Sequence, residues 1–385
     1  MATQASVKPA SAEGVGFIRL LPGDPAPRFR TRAVSNPSYN FDTVAGRTIL
    51  LCFGGSAGSA LAGASLKAVA DRPDLFDDMR ASFFFISNDP ADEAQGRVGD
   101  SYPGYRTFWD FEGAIGRLFG ALPVDPMPVA NAPFRPLWVA VDRQLRVLEV
   151  IPFAKDRSDI ARAIAAVEAV PVPRADDLSI VQAPVLLLPN VIEPELCAEL
   201  IAGYKRDGGE PSGFMREENG KTVLRTDPGH KKRRDWTIDD RTLIGRLQER
   251  FKRRIVPEIE RVHYFSVTRM ERYIVGCYTA EDGGHFRPHR DNTTKGTAHR
   301  RYAVSVNLND DFDGGLVSFP EYGPRGFKPP PGGALVFSCT LLHTVSPVTR
   351  GERYAFLPFL YDDAAAKVRE ANNAFLDEGI GQYRA

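Results

Sequence analysis

The hydrophobic positions of this chain change rhythm at about residue 183. Before it, continuous apolar runs alternate with segments of helical spacing. Thr48–Phe53 and Ser82–Ser87 are too short and too uniformly apolar for anything but strands buried on both faces, and a helical stretch over Ala60–Val69 separates them. A short helix near Ile115–Phe119 comes next. Two further strands, Pro136–Val141 and Leu145–Ile151, are joined by the turn Asp142-Arg143-Gln144, and a helix from Ser158 to about Val170 closes the unit. Strands interleaved with helices and ending in a hairpin predict an α/β fold with helices over a sheet. Residues 1 to about 12 are polar and read as a disordered tail.

After the stiff, polar Pro-Val-Pro-Arg-Ala-Asp-Asp stretch the pattern restarts with Pro184–Leu188. A helix follows with Pro194 in its first turn and Leu196, Leu200 and Ile201 on its apolar face. Residues 206–235 are polar, rich in glycine and basic, ending in His230-Lys231-Lys232-Arg233-Arg234. They read as a lid or a solvated loop, with the solvated loop preferred. Asp239-Asp240 opens an amphipathic helix through Leu243, Leu247 and Phe251, which Pro257 kinks or breaks. Thereafter short strands follow at close spacing: Phe265–Tyr278, Phe286–Asp291, Tyr302–Leu308, Gly315–Phe319, Ala334–Phe337, Leu342–Val345 and Arg353–Leu360. A last helix covers about Ala364–Leu376. Such spacing, with Gly and Pro turns, predicts a jelly roll, the double-stranded β-helix.

A length of 385 residues agrees with two domains, expected at 13–170 and 184–385 with a linker at 171–183. A formal net charge of +0 removes the field of a general nucleic-acid or membrane-surface binder. The four cysteines, Cys52, Cys197, Cys277 and Cys339, lie singly in apolar stretches and read as buried free thiols of a reducing compartment. The polar opening and the absence of a long apolar run predict a soluble, cytoplasmic protein. All six histidines fall in the C-terminal half, so histidine chemistry belongs there.

On an extended strand His289 and Asp291 project to one face while Arg290 points away. An imidazole and a carboxylate then share a target, and His343, from a distant strand, would complete a two-histidine, one-carboxylate set of the kind that holds Fe(II) and leaves positions open. His285 has helical spacing from His289, but Pro288 opposes a helix. His299 reads as exposed or near the substrate opening, and His230 and His263 as ordinary surface or core residues.

Followed by "YAVSVNLNDDFDGG" and "PPPGGALVFSCTLLHTVSPVTRGERYAFLPF", this pattern over about residues 185–362 resembles the prolyl-4-hydroxylase-like group of iron(II)- and 2-oxoglutarate-dependent dioxygenases. The resemblance implies His289, Asp291 and His343 as both metal ligands and catalytic centre. It makes Arg353 the anchor of the 2-oxoglutarate carboxylate, ahead of Arg350, and places Tyr273 against the cosubstrate and Asn307 in the pocket. It further implies Fe(II), 2-oxoglutarate and O2, with ascorbate as an accessory reductant. The reaction would be hydroxylation of an unactivated C–H bond of a peptide, protein or small molecule, with succinate and CO2 released. Because Asp291 is present, hydroxylation is expected over halogenation. Two departures, the apparent insertion Thr279–Gly284 and Phe286 where the family often has tyrosine, bear on the substrate.

Over about residues 16–170, "LPGDPAPRF", "TILLCFGG", "FFFISNDP" and "PLWVAVDRQLRVLEVI" resemble the peroxiredoxin branch of the thioredoxin fold. The reactive cysteine of that family is replaced by Gly54-Gly55-Ser56-Ala57, and Cys52 sits inside the strand. A scaffold for docking, homodimerisation or covering the second domain is therefore expected. A thiol peroxidase and a non-catalytic metal-binding module are the rival functions.

Overall fold

The computed structural model describes residues 16–172 and 182–384. The expected N-terminal tail and most of the linker at 171–183 lie outside the described residues. The chain divides into two compact units, Met1–Asp177 and Leu178–Ala385.

In the first unit β1 (Thr48–Gly55) is buried at every position, because it lies inside the sheet with covered faces on both sides. Helix α1 (Ala60–Ala70), capped by the Ser59 hydroxyl on Ala62 N, returns the chain to β2 (Ala81–Ser87), which pairs parallel to β1. The strand β3 (Tyr105–Trp109) adds parallel to β2, and the short helix α2 (Ala114–Leu118) follows it. On the other side of β1, β4 (Leu137–Val141) and β5 (Val147–Pro152) add antiparallel, and α3 (Ser158–Glu168) packs back onto them. A β-α-β unit followed by β-β-α, with β2-β1-β4-β5 as neighbours, is the thioredoxin-like arrangement. Two short strands, Arg30–Ala33 and Tyr39–Asn40, extend the far edge to a seven-stranded sheet.

In the second unit three helices, α4 (Pro194–Asp207), α5 (Arg241–Arg254) and α6 (Val256–His263), cover one face of a large antiparallel sheet. Asp240 caps α5 through Thr242 N and Leu243 N, and Pro257 starts α6 as a separate helix. That sheet contains β6 (Arg234–Thr237), β7 (Ile274–Thr279), β9 (Tyr302–Asn307), β11 (Ala334–Ser338), β13 (Glu352–Phe356) and β14 (Phe359–Tyr361). A smaller antiparallel sheet holds β8 (His285–His289), β10 (Val317–Ser318) and β12 (His343–Val345). Helix α7 (Asp363–Ala371) follows. Phe312, Val317, Phe319, Leu335, Phe337 and Val345 form the apolar layer associated with the smaller sheet, as a jelly roll requires.

Residues 206–235 are corrected by the structure. The segment is not an irregular solvated loop: it contributes the hairpin Phe214–Glu218/Lys221–Arg225, the strand Lys231–Lys232 on the small sheet and β6 on the large one. Lys231 and Arg233 of the basic run are buried at 4% and 8% exposure. The expected single strand Phe265–Tyr278 is broken at Arg272, whose φ of 68° cannot continue it.

Candidate metal centre

Strand register assembles the site. His289 and His343 are cross-strand partners on β8 and β12, and their rings lie 4.2 Å apart between centroids. The strand ends at His289, so Asp291 occupies the turn just beyond it and not the strand itself. Asp291 is held there by its own N–H on Cys339 O at 3.0 Å and by Arg300, which donates to its carbonyl. His289 Nε2 lies 3.7 Å from Asp291 Oδ1 and His343 Nε2 lies 3.4 Å from Asp291 Oδ2; the ligand atoms of all three fall within 4.8 Å of one another.

The remaining ring atoms make these imidazoles suitable ligands. His289 Nδ1 is 2.7 Å from Arg287 O and His343 Nδ1 is 3.0 Å from Leu341 O. With Nδ1–H donated to a carbonyl, the lone pair sits on Nε2, which faces the carboxylate. Burial, then the neighbouring His343, pushes His289 well below the usual imidazole range, favouring the neutral form that binds a cation. Phe286 stacks on His289 at 3.5 Å and Phe337 lies 4.6 Å from His343, which fixes both rings.

Arg290, just beyond the strand end, points away from Asp291 into a buried pair with Glu321. Glu321 also accepts from Leu342 N, and Arg290 donates to Thr340 O. One ion pair thus ties the two chain segments that carry the ligands.

A cleft of about 490 Å³, its open mouth included, runs from the triad to the inner face of the large sheet. On that face Tyr278 of β7 stands directly opposite Arg353 of β13. Arg353 is 1% exposed. Its Nε and Nη2 donate to Asn307 Oδ1 at 3.1 and 3.0 Å, and Nη2 donates to Ser305 Oγ at 2.8 Å. The remaining Nη1 is buried and makes no hydrogen bond of good geometry among the described residues; burial lowers the guanidinium from its usual range, and the Tyr278 phenol beside it acts the other way. A buried charged donor left without an acceptor is costly unless an anion supplies one. Gly315 allows this placement, since a Cβ there would lie 2.9 Å from Arg353 Cδ.

Arg233 was not legible as a site residue, and neither was Tyr278. Arg233 crosses β7 above Gly276, where a Cβ would lie 2.9 Å from its Cδ, and donates from Nη1 to the Tyr278 hydroxyl at 3.1 Å. Its other edge is held bidentately by Asp235 at 2.6 and 2.8 Å. Burial alone would raise Asp235, but Arg233 holds it well below the carboxylate range. Since the Tyr278 oxygen accepts from Arg233, its own proton is directed elsewhere, and the phenol lines the cleft as a donor.

Three further expectations are corrected. Tyr273 does not reach the cleft: its hydroxyl bonds Gln248 Nε2 at 2.6 Å, and its ring packs with Val275 and Cys277 against the helices. Asn307 contributes to the pocket only indirectly, as the clamp on Arg353, with its amide on Pro329 O. His299 is not exposed; at 1% exposure its Nε2 meets Glu271 at 3.0 Å. Arg350 pairs on the surface with Asp313, consistent with Arg353 as the inward arginine.

In the first unit Cys52 is fully buried and burial pushes its thiol up. The turn after β1 is held instead by carboxylates: Ser56 Oγ donates to Asp89, and Asp92 accepts from Ala57 N and Ser87 Oγ.

Residues 272–361 match the 2OG-Fe(II) oxygenase superfamily model. Over 91 residues the chain is 38% identical to the PKHD-type hydroxylase PiuC of Pseudomonas aeruginosa, an alignment covering 21% of this chain and 39% of that protein. The match therefore spans about two fifths of that relative's length. Among solved structures, a prolyl hydroxylase of Trichoplax adhaerens, in complex with a hypoxia-inducible-factor peptide fragment, is 20% identical with a TM-score of 0.39, over 48% of this chain and 85% of that one. The peroxidoxin BcpB of Mycobacterium tuberculosis is 21% identical with a TM-score of 0.34, over 40% of this chain and 99% of that one.

Proposed function

We propose that the second unit, whose residues 272–361 carry the 2OG-Fe(II) oxygenase region, hydroxylates an unactivated C–H bond of a peptide, protein or small-molecule substrate. The observation that carries this reading is the joint presence, around one cleft, of the His289/Asp291/His343 ligand set and the buried, unpartnered Nη1 of Arg353.

The donor set fits Fe(II): two neutral imidazoles and one carboxylate partly neutralise a divalent charge without closing the coordination shell. Fe(II) and 2-oxoglutarate bound here supply the activation of O2 and the oxidative decarboxylation that yield succinate, CO2 and a hydroxylated product. The chain's residues bind and orient. Arg353 Nη1 and the Tyr278 hydroxyl donate to the far carboxylate of the dicarboxylic acid, with Asn307 and Ser305 holding the guanidinium flat toward it. Arg233 sets the direction of the Tyr278 proton. Val317, Phe337, Val345, Leu357 and Phe359 line the cleft with apolar surface and exclude water from it.

The test is succinate formation by the full chain with Fe(II), 2-oxoglutarate and O2, beside a screen of amino acids, peptides and cell extract for a mass gain of one oxygen. Turnover is expected for the native chain and a loss of more than about 100-fold for His343→Ala, since removal of one of three ligands opens the site. Full activity in His343→Ala would sink the assignment.

A further inference from the structure

Arg272 is a third guanidinium on the cleft wall, and neither metal nor 2-oxoglutarate has a use for it. Among the described residues its guanidinium donates one hydrogen bond, from Nη2 to Asp235 Oδ2 at 3.3 Å, and that carboxylate is already taken bidentately by Arg233. Lys231 stands in the same cluster, its ammonium donating to two neutral oxygens, Ser212 Oγ at 2.7 Å and Gly213 O at 2.6 Å. Three cations therefore crowd Asp235 beside the cleft, and the other carboxylate that acts on Lys231 and Arg272 is Asp291 of the triad. Their mutual repulsion shows in the same direction at two of them: burial and then Arg233 push Lys231 well below its usual range, and the same two causes bring Arg272 down to about 10.

Arg272 is also placed at a conformational cost. Its φ of 68° lies in the left-handed region, where a side chain is strained and glycine is favoured, and it is this residue that interrupts the strand. The side chain is 29% exposed, with its guanidinium 5.6 Å from the centre of Phe359, a ring that lines the cleft. Arg300 lies on the same ring at 4.0 Å, but Glu271 satisfies it. A strained, partly buried arginine that faces a cleft and has only a shared carboxylate as partner is suited to receive an anion.

The geometry points to Arg272 as the recognition residue for an anionic oxygen pair, a carboxylate or phosphate, on the molecule that is oxidised. The inference rests on the oxygenase reading, in which the metal and Arg353 take the two carboxylates of 2-oxoglutarate and leave Arg272 for the substrate. Substrates of this protein are then acids or acidic peptides, and the matching amides or neutral esters are poor ones.

The test separates anion binding from turnover. The full chain is loaded with Zn(II), which occupies the triad without redox chemistry, and saturated with N-oxalylglycine, a mimic of 2-oxoglutarate. Acetate and inorganic phosphate are titrated separately while the Nε–H signals of Arg272 and Arg300 are followed by 15N NMR. A saturable shift of both signals is expected, with the Arg300 response weakened at least about tenfold in Arg272→Gln and largely restored in Arg272→Lys. Response to acetate alone identifies a carboxylate, and response to phosphate alone a phosphate. No response to either anion, or an Arg300 response unchanged in Arg272→Gln, overturns the inference while leaving the succinate assay to judge the oxygenase reading by itself. For any substrate found in the mass-gain screen, Arg272→Gln should raise KM at least about tenfold and change kcat far less. A neutral substrate with unchanged KM would overturn the assignment, and anion binding in a chain that forms no succinate would overturn the oxygenase reading together with the substrate role.

Discussion

Tyr273 and Tyr278 differ by five positions in sequence and lie on opposite faces of the same sheet. On β7, Val275 and Cys277 point to the helices while Gly276 and Tyr278 point to the cleft, and Tyr273 falls on the helix side with the odd-numbered residues. Only one of the two phenols can serve a cosubstrate. Tyr278→Phe should weaken 2-oxoglutarate binding by about 10- to 100-fold, the worth of one hydrogen bond to a charged acceptor, whereas Tyr273→Phe should leave it unchanged. Titration of the metal-loaded protein with 2-oxoglutarate checks both. Equal effects would mean that the direction of the Tyr278 proton, set by Arg233, has no role.

Elements bring the residues together, and their ends are held by buried charges. Glu321, in the short turn Pro320–Tyr322, binds Arg290 and Leu342 N, so it fixes the exit of β8 and the entry of β12 at once. Glu321→Ala leaves Arg290 buried without its carboxylate partner; a stability loss of about 3–5 kcal/mol is expected, with metal affinity reduced about 10- to 100-fold. Urea unfolding and metal titration read the two effects, and a variant that loses neither would show the clamp to be idle. In the first unit Asp110 caps α2 through Ile115 N at 2.8 Å and Gly116 N at 2.7 Å, yet burial outweighs these bonds and pushes it up from 3.8 to about 6. A folded-state pKa above the unfolded one favours the protonated form. This contribution to stability is complete below pH 3.8 and is lost as the pH rises through about 6, by an amount on the order of 3 kcal/mol. The difference in urea midpoint between the native chain and Asp110→Asn should therefore change across that window and be flat above it.

For the molecule as a whole, the two units divide the chemistry unequally. All four cysteines are buried, and burial pushes Cys52, Cys197, Cys277 and Cys339 up, away from the thiolate. A thiol reagent should find essentially none of them in the native protein and all four after unfolding; a fast-reacting native thiol would reopen the peroxidase reading. Much of this organisation was legible from order and period alone. Apolar runs such as Thr48–Phe53 lack any polar alternative to burial, so they specify strands wherever they sit, and H-x-D with a later histidine names the ligands by their chemistry. The segment 206–235 was not legible, because Lys231, Arg233 and Asp235 look like a solvated charge run until a neighbouring strand turns them inward, where Arg233 pairs with Asp235 and Lys231 bonds Ser212 Oγ and Gly213 O. The chain's sequence by itself determined which residue types were available: two imidazoles, a carboxylate and arginines in a run of short strands. Tertiary structure alone decided which of them meet, because local periodicity assigns a side chain to a face, while cross-strand register, set by contacts far away in sequence, assigns the face its partner.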